Sequence, residues 1–203
     1  MLELGCGFGR SLPILSELSK KVTAVDISAE MIRIAKKNVK AKNVDFLVSP
    51  SESLPFCDEK YNTVICFAAF DAMYQKEALS EINRISKKGS RVLITGKNDN
   101  YADDDKEAML AELAARSKGH PNYFTNVKKL VKSMNNFGFI IEFERYFARR
   151  GDFGEMCSKE KMPDRFYEYL FILKKIGTCK VPKDTVIANH FSKTYTRKVS
   201  SFK

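Results

Sequence analysis

The sequence predicts an α/β three-layer sandwich, a mostly parallel sheet covered by helices on both faces, with one reversed strand near its C-terminal edge. Three observations predict it. Strand-like and helix-like segments alternate through the first hundred residues, the glycine cluster Gly5-Cys6-Gly7-Phe8-Gly9 separates the first strand from the first helix, and Asp26 ends the second strand. Parallel strands need crossover connections, so this alternation implies a parallel sheet.

Each element follows from local pattern. Met1 to Leu4 is a short apolar stub before the glycines, and Leu12, Ile14, Leu15 and Leu18 then recur at helical spacing. Val22 to Val25 alternates and is β-branched, and Ser28 caps a helix carrying Met31, Ile32, Ile34, Ala35 and Val39. Residues 44–48, 61–67 and 91–95 read as further strands, with a helix over 76–87 that Lys88-Gly89 is expected to close. Helices are expected over 104–117 and 126–137, the second ended by Gly138. Two strand-like stretches, 139–147 and 166–173, follow without an intervening helix, so they are expected to pair antiparallel.

The predicted organisation is one domain over 1–175 and a basic C-terminal tail over 176–203. With 203 residues, 44% hydrophobic content and fifteen Phe, the chain is sufficient for one core. The net charge of +10 is uneven: residues 174–203 carry eight Lys/Arg against one Asp/Glu, whereas residues 101–173 balance. Such a tail suits RNA or an acidic surface, or is merely solvated, and the loss of alternation there reads as an appendage or partly disordered segment. No apolar run reaches the ~20 residues of a bilayer span, and no secretion signal opens the chain. A cytoplasmic protein is expected. The five cysteines are scattered and the histidines number two, which supports neither a disulfide framework nor a metal site.

Glu3-x-Gly5-x-Gly7-x-Gly9 carries the chemistry. Glycines between a strand and a helix permit a sharp turn and let a ligand approach the main chain without Cβ obstruction, although a tight turn alone would also use them. Asp26 stands about where nucleotide-binding folds place a carboxylate on ribose hydroxyls, or else it caps the helix after Ser28. A dinucleotide fingerprint would need a glycine where Arg10 stands.

Several segments in order resemble the class I, Rossmann-like S-adenosylmethionine-dependent methyltransferases, of the broad type that includes the ubiquinone and menaquinone C-methyltransferases. Leu2 to Arg10 resembles the first motif, Val25-Asp26-Ile27-Ser28 the second-strand motif, and Ser51-Glu52-Ser53-Leu54-Pro55-Phe56 the loop after the third strand. Residues 61–67 and 81–94 resemble the fourth strand and the helix and strand that follow. The resemblance implies that Glu3 and the backbone of Gly5, Cys6, Gly7 and Gly9 hold the methionine part of S-adenosyl-L-methionine, with S-adenosyl-L-homocysteine as product. It implies Asp26 on ribose, Ile27 and Met31 against adenine, Ser51 and Glu52 at the adenine edge, and Phe67 near the sulfonium. Core packing is the other reading of Ile27, Met31 and Phe67, and a solvated loop charge that of Glu52. Relatives commonly have Asp at the position of Pro50, and they carry helices before the first strand that this chain lacks, so an abbreviated domain with weakened cofactor affinity is expected.

Methyl transfer is an in-line displacement that positioning can accelerate without a universal catalytic side chain. Asp71, just after the fourth strand, is the first carboxylate to test as a base, or it caps a helix. An acceptor is expected in loops beyond the strand ends, formed by 97–125 with Tyr101, His120, Tyr123 and Phe124, and by Arg149, Arg150 and Asp152. The aromatics suggest a partly apolar small molecule. RNA or protein methylation through the basic tail is an alternative, as is a non-catalytic nucleotide-binding module of the same fold.

Overall fold

The computed structural model describes residues 1–119, 122–155 and 157–201. Five strands run parallel: β1 (Leu2–Leu4), β2 (Val22–Asp26), β3 (Val44–Val48), β4 (Tyr61–Cys66) and β5 (Ser86–Lys97). Beside β5 lies β9 (Glu168–Lys175), which runs antiparallel to it and to β7 (Phe139–Phe147). The two-residue β8 (Ser158–Lys159) closes that edge, giving the order β3-β2-β1-β4-β5-β9-β7-β8. The long reversed strand is the one expected, and the short β8 is a second.

Helices fill both faces. On one, α1 (Leu12–Leu18) and α2 (Ala29–Asn38) bury Leu12, Leu15 and Ile32 against Val22, Ala24 and Val44. On the other, α3 (Gln75–Ile85) and α5 (Val127–Ser133) bury Leu79, Ile82 and Leu130 with Leu4, Val64, Ile94 and Phe171. These apolar stripes drive the packing, because each fully buried Leu or Ile contributes about 1.5–3 kcal/mol. Side chains start the helices where the sequence places a cap: the Ser28 hydroxyl accepts the Met31 N–H at 3.3 Å, and Asn126 Oδ1 accepts that of Lys129 at 3.0 Å.

One helix ends earlier than its pattern suggests. After Ile85 the chain turns extended at Ser86 and enters β5 directly. Pairing with β4 jumps from Tyr61–Ser86 to Thr63–Arg91, so Lys87 to Ser90 form a bulge with Gly89 at φ 79°. The left-handed glycine therefore serves a strand, whereas Gly138, at φ 78°, does terminate the turn after α5 as expected.

The C-terminal segment is folded onto the domain and is no loose appendage. The buried Asn83 side chain donates to the carbonyls of Phe137 and Gly177, both at 2.9 Å, and accepts the Cys179 N–H at 3.2 Å. Farther on, β10 (Ala188–Asn189) pairs with β6 (Phe124–Thr125), and the buried Ser192 donates to the equally buried Glu112 of α4 (Lys106–Ser117) at 2.6 Å. Helix α6 (Lys193–Ser201) follows, with Arg197 paired to Asp103 at 2.9 Å. Polar anchors of this kind carry no hydrophobic periodicity, which is why composition suggested disorder. Among the described residues, no helix is long and apolar enough to cross a membrane.

Candidate active site

In the sheet order β1 lies between β2 and β4, so successive crossovers leave in opposite directions and open a crevice beyond the strand ends. The glycine loop lies there. Its amides at Gly5 and Cys6 both bond the Val25 carbonyl, at 2.8 and 3.0 Å, which ties the loop to the end of β2. The glycines divide between two jobs. A Cβ on Gly5 (φ 69°) would overlap the Ala69 methyl, so packing requires that glycine. A Cβ on Gly7 (φ 52°) would meet no atom within 4 Å, so Gly7 presents bare main chain to open space.

Two carboxylates hold this loop. Asp26 Oδ2 accepts the Gly7 N–H at 2.8 Å and Oδ1 the Ser28 N–H at 2.9 Å. The carboxylate faces the crevice loop, and its remaining lone pairs stay available. Glu3 is almost wholly buried. Its Oε1 accepts the Ser11 hydroxyl, while Oε2 is buried with no hydrogen-bond partner among the described residues. Burial raises the Glu3 carboxyl above its ordinary 4.5, against the Ser11 hydrogen bond. Burial, with the Asp26 and Glu3 charges, likewise pushes the Cys6 thiol up to about 12, so Cys6 stays protonated and inert at neutral pH.

Other residues singled out from sequence follow the ends of β2 and β3. Ile27 is 72% exposed, which removes core packing as its reason for being apolar, and Met31 is half-buried. Ser51 is buried, and Glu52 Oε1 accepts the Tyr74 N–H at 2.8 Å at the start of α3. Sequence reasoning missed what positions that loop: Leu54 N–H donates to Glu81 at 2.7 Å, and Arg84 donates to the Leu54 and Phe56 carbonyls at 3.0 and 2.7 Å. Burial alone would raise the Glu81 carboxyl, but the Arg84 hydrogen bond, Leu54 and the Arg84 charge together hold it below 4.5. The fully buried Cys66 thiol, at the end of β4, is raised first by burial and then by the charges of Asp71, Glu3 and Glu52.

Next to Phe67 the surface opens into a cleft of about 480 Å³. Phe67 meets Phe153 edge-on at 5.5 Å, and Arg10, Asp71, Lys97, Arg150 and Glu168 supply polar walls. Asp71 is committed: Oδ1 accepts the Lys97 N–H at 2.8 Å, and Oδ2 pairs with the Lys97 ammonium at 3.2 Å. Ala68, in the left-handed region at φ 54°, and its hydrogen bond to Thr95 at 2.8 Å complete the turn. Glu168 was not foreseen. Its carboxyl is raised above 4.5 by burial and then by the Asp71 charge, with Lys97 and Arg150 opposing. The signal for it was its place at the start of the reversed strand, opposite Lys97, which pairing alone reveals.

The aromatic residues expected to shape an apolar acceptor site lie elsewhere. Tyr101 and Phe124 are wholly buried in a small cluster with Ala108 and Tyr167, and Tyr123 packs against Tyr74 and His190. Arg149 pairs with Asp104 at 2.8 Å, and Asp152 accepts the Arg149 N–H at 2.8 Å. His120 lies outside the described residues.

Comparison with known proteins agrees with this geometry. A sequence profile described as methyltransferase domain matches residues 2–94. The N-terminal part of the chain is thus similar to a methyltransferase domain. An uncharacterized methyltransferase of Schizosaccharomyces pombe is 38% identical over 102 residues, covering 49% of this chain and 40% of that protein. A ubiquinone/menaquinone biosynthesis C-methyltransferase of Geotalea daltonii is 31% identical over 81 residues, covering 37% and 34%. The matched parts thus span well under half the length of these relatives. The fold match is broader: the S-adenosylmethionine-dependent methyltransferase structure from Mesorhizobium loti superposes with a TM-score of 0.68 at 14% identity, over 86% of this chain and 89% of that one. The likeness in fold therefore covers more of the chain than the matched profile does.

Proposed function

We propose that this chain transfers a methyl group from S-adenosyl-L-methionine to a small-molecule acceptor held in the cleft beside Phe67. One observation carries the reading: the strand that leads into the exposed Gly7 main chain holds a buried Glu3 oxygen with no hydrogen-bond partner among the described residues, which an ammonium-bearing ligand would satisfy. The cofactor would supply an electrophilic methyl group on a positively charged sulfur. Glu3 and the main chain of Gly5, Cys6, Gly7 and Gly9 would hold its methionine part. Asp26 would add ribose hydroxyls to the two amides it already accepts, a load a carboxylate's four lone-pair sites allow. Exposed Ile27 and half-buried Met31 would cover adenine, with Ser51 and Glu52 at its edge and Phe67 by the sulfur.

The residues' work is then orientation and exclusion of water. For an acceptor with N–H or O–H, Glu168 is the better-placed proton acceptor, because Asp71 is engaged by Lys97 and serves to fix the loop after β4. A cytoplasmic setting accords with cysteines that form no disulfide among the described residues. A thermal-shift panel tests the reading: S-adenosylhomocysteine at one hundred times its Kd should stabilise the protein by about 2.7 kcal/mol, with no shift from NAD. A shift with NAD alone would overturn it.

A further inference from the structure

The charge pattern of the cleft narrows the class of acceptor, granted the methyl-transfer reading above. Lys97 and Asp71 neutralise each other. Arg10 and Arg150 line the same cleft, and neither forms an ion pair with a carboxylate among the described residues. Arg10 sets its guanidinium 6.0 Å from the Phe67 ring centroid, beside the glycine loop. Arg150 is fixed from behind, its own N–H on Asp105 at 2.9 Å and its guanidinium on the Tyr167 hydroxyl at 3.4 Å. Two arginines thus line the cleft with most of their guanidinium donors unused. Glu107 and Glu168 also line it, so the cleft has no general positive field. Attraction there must come from directed pairing, which the planar guanidinium fork gives to oxyanions and an ammonium does not.

We propose that the acceptor is a small molecule bearing a carboxylate or phosphate, clamped by Arg10 and Arg150 while Glu168 faces its hydrogen-bearing nucleophile. Methylation then forms the bond from methyl to the acceptor's N or O, breaks the methyl–sulfur bond with its electron pair left on sulfur, and passes the acceptor's proton to Glu168. An apolar quinone-like acceptor does not suit these walls.

The test uses benzoate and phenyl phosphate as probes and benzamide and phenol as neutral counterparts, titrated by NMR into the full chain with and without S-adenosylhomocysteine. At least one anion should bind saturably at millimolar concentration, whichever binds more tightly naming the oxyanion, with the neutral pair at least tenfold weaker. Arg150→Gln and Arg150→Lys should each weaken anion binding at least tenfold with melting temperature unchanged. Equal binding of the neutral probes, retention in Arg150→Lys, or no binding of either anion would overturn the clamp. Binding of S-adenosylhomocysteine without the anions sinks the clamp alone, whereas binding of the anions without S-adenosylhomocysteine sinks the methyl-transfer reading it rests on.

Discussion

Gly7 and Gly5 sit two residues apart in one loop, both with positive φ, yet their substitution should fail in different ways. In Gly5→Ala the new methyl meets Ala69, so the chain should lose several kcal/mol and its cooperative melt. Gly7→Ala meets nothing within the protein, so its cost should be only the ~1–2 kcal/mol of left-handed strain, with the greater loss in ligand affinity. Glu3 gives a pH signature. Its carboxyl is raised in the free protein, and a neighbouring ammonium would lower it, so binding releases a proton. Affinity for S-adenosylhomocysteine should therefore rise as pH climbs through the raised carboxyl and level off above it. Calorimetry across that range should lose the slope in Glu3→Gln; an unchanged slope would remove Glu3 from the cofactor site. The glycines and Asp26 were legible in sequence because their spacing relative to strand ends is set by backbone geometry. Glu168 was not, since its place opposite Lys97 depends on pairing between segments some seventy residues apart.

At the scale of elements, the parallel strands and the helices between them were readable from apolar periodicity, and the reversed hairpin from two strands with no crossover. The bulge at the start of β5 was not, because Lys88-Gly89 serves a helix end and a strand bulge with the same backbone conformation. The network between α3 and the loop after β3 was also hidden, as Glu81 and Arg84 look like solvated helix charges. Arg84→Ala would leave the Leu54 and Phe56 carbonyls without their partner and should cost about 1–3 kcal/mol, with amide exchange accelerated over residues 51–58. Glu81 adds a pH dependence of its own, in folding stability and not in ligand affinity. Its carboxyl is held below 4.5, so its contribution is present above that value and is lost as pH falls through the folded-state value.

For the molecule as a whole, the basic C-terminal segment changes meaning once folded. It closes the third, Tyr101-centred cluster through Glu112 and Ser192 and is stapled to α3 by Asn83. Asn83→Ala strands one buried and one part-buried carbonyl and should destabilise the domain by about 2–4 kcal/mol, read as a lower denaturation midpoint with an unchanged slope. Removal of residues 176–203 should lower the melting temperature of the entire domain; full stability without them would return the segment to the status of an appendage. The central claim remains that the crevice between β1 and β4 binds an adenosyl sulfonium over Gly7. Isothermal titration of the chain with S-adenosylhomocysteine tests it most directly. One saturable site, weakened at least tenfold in Gly7→Ala, is the result expected, and the absence of saturable binding at millimolar ligand, or binding indifferent to Gly7→Ala, would contradict it.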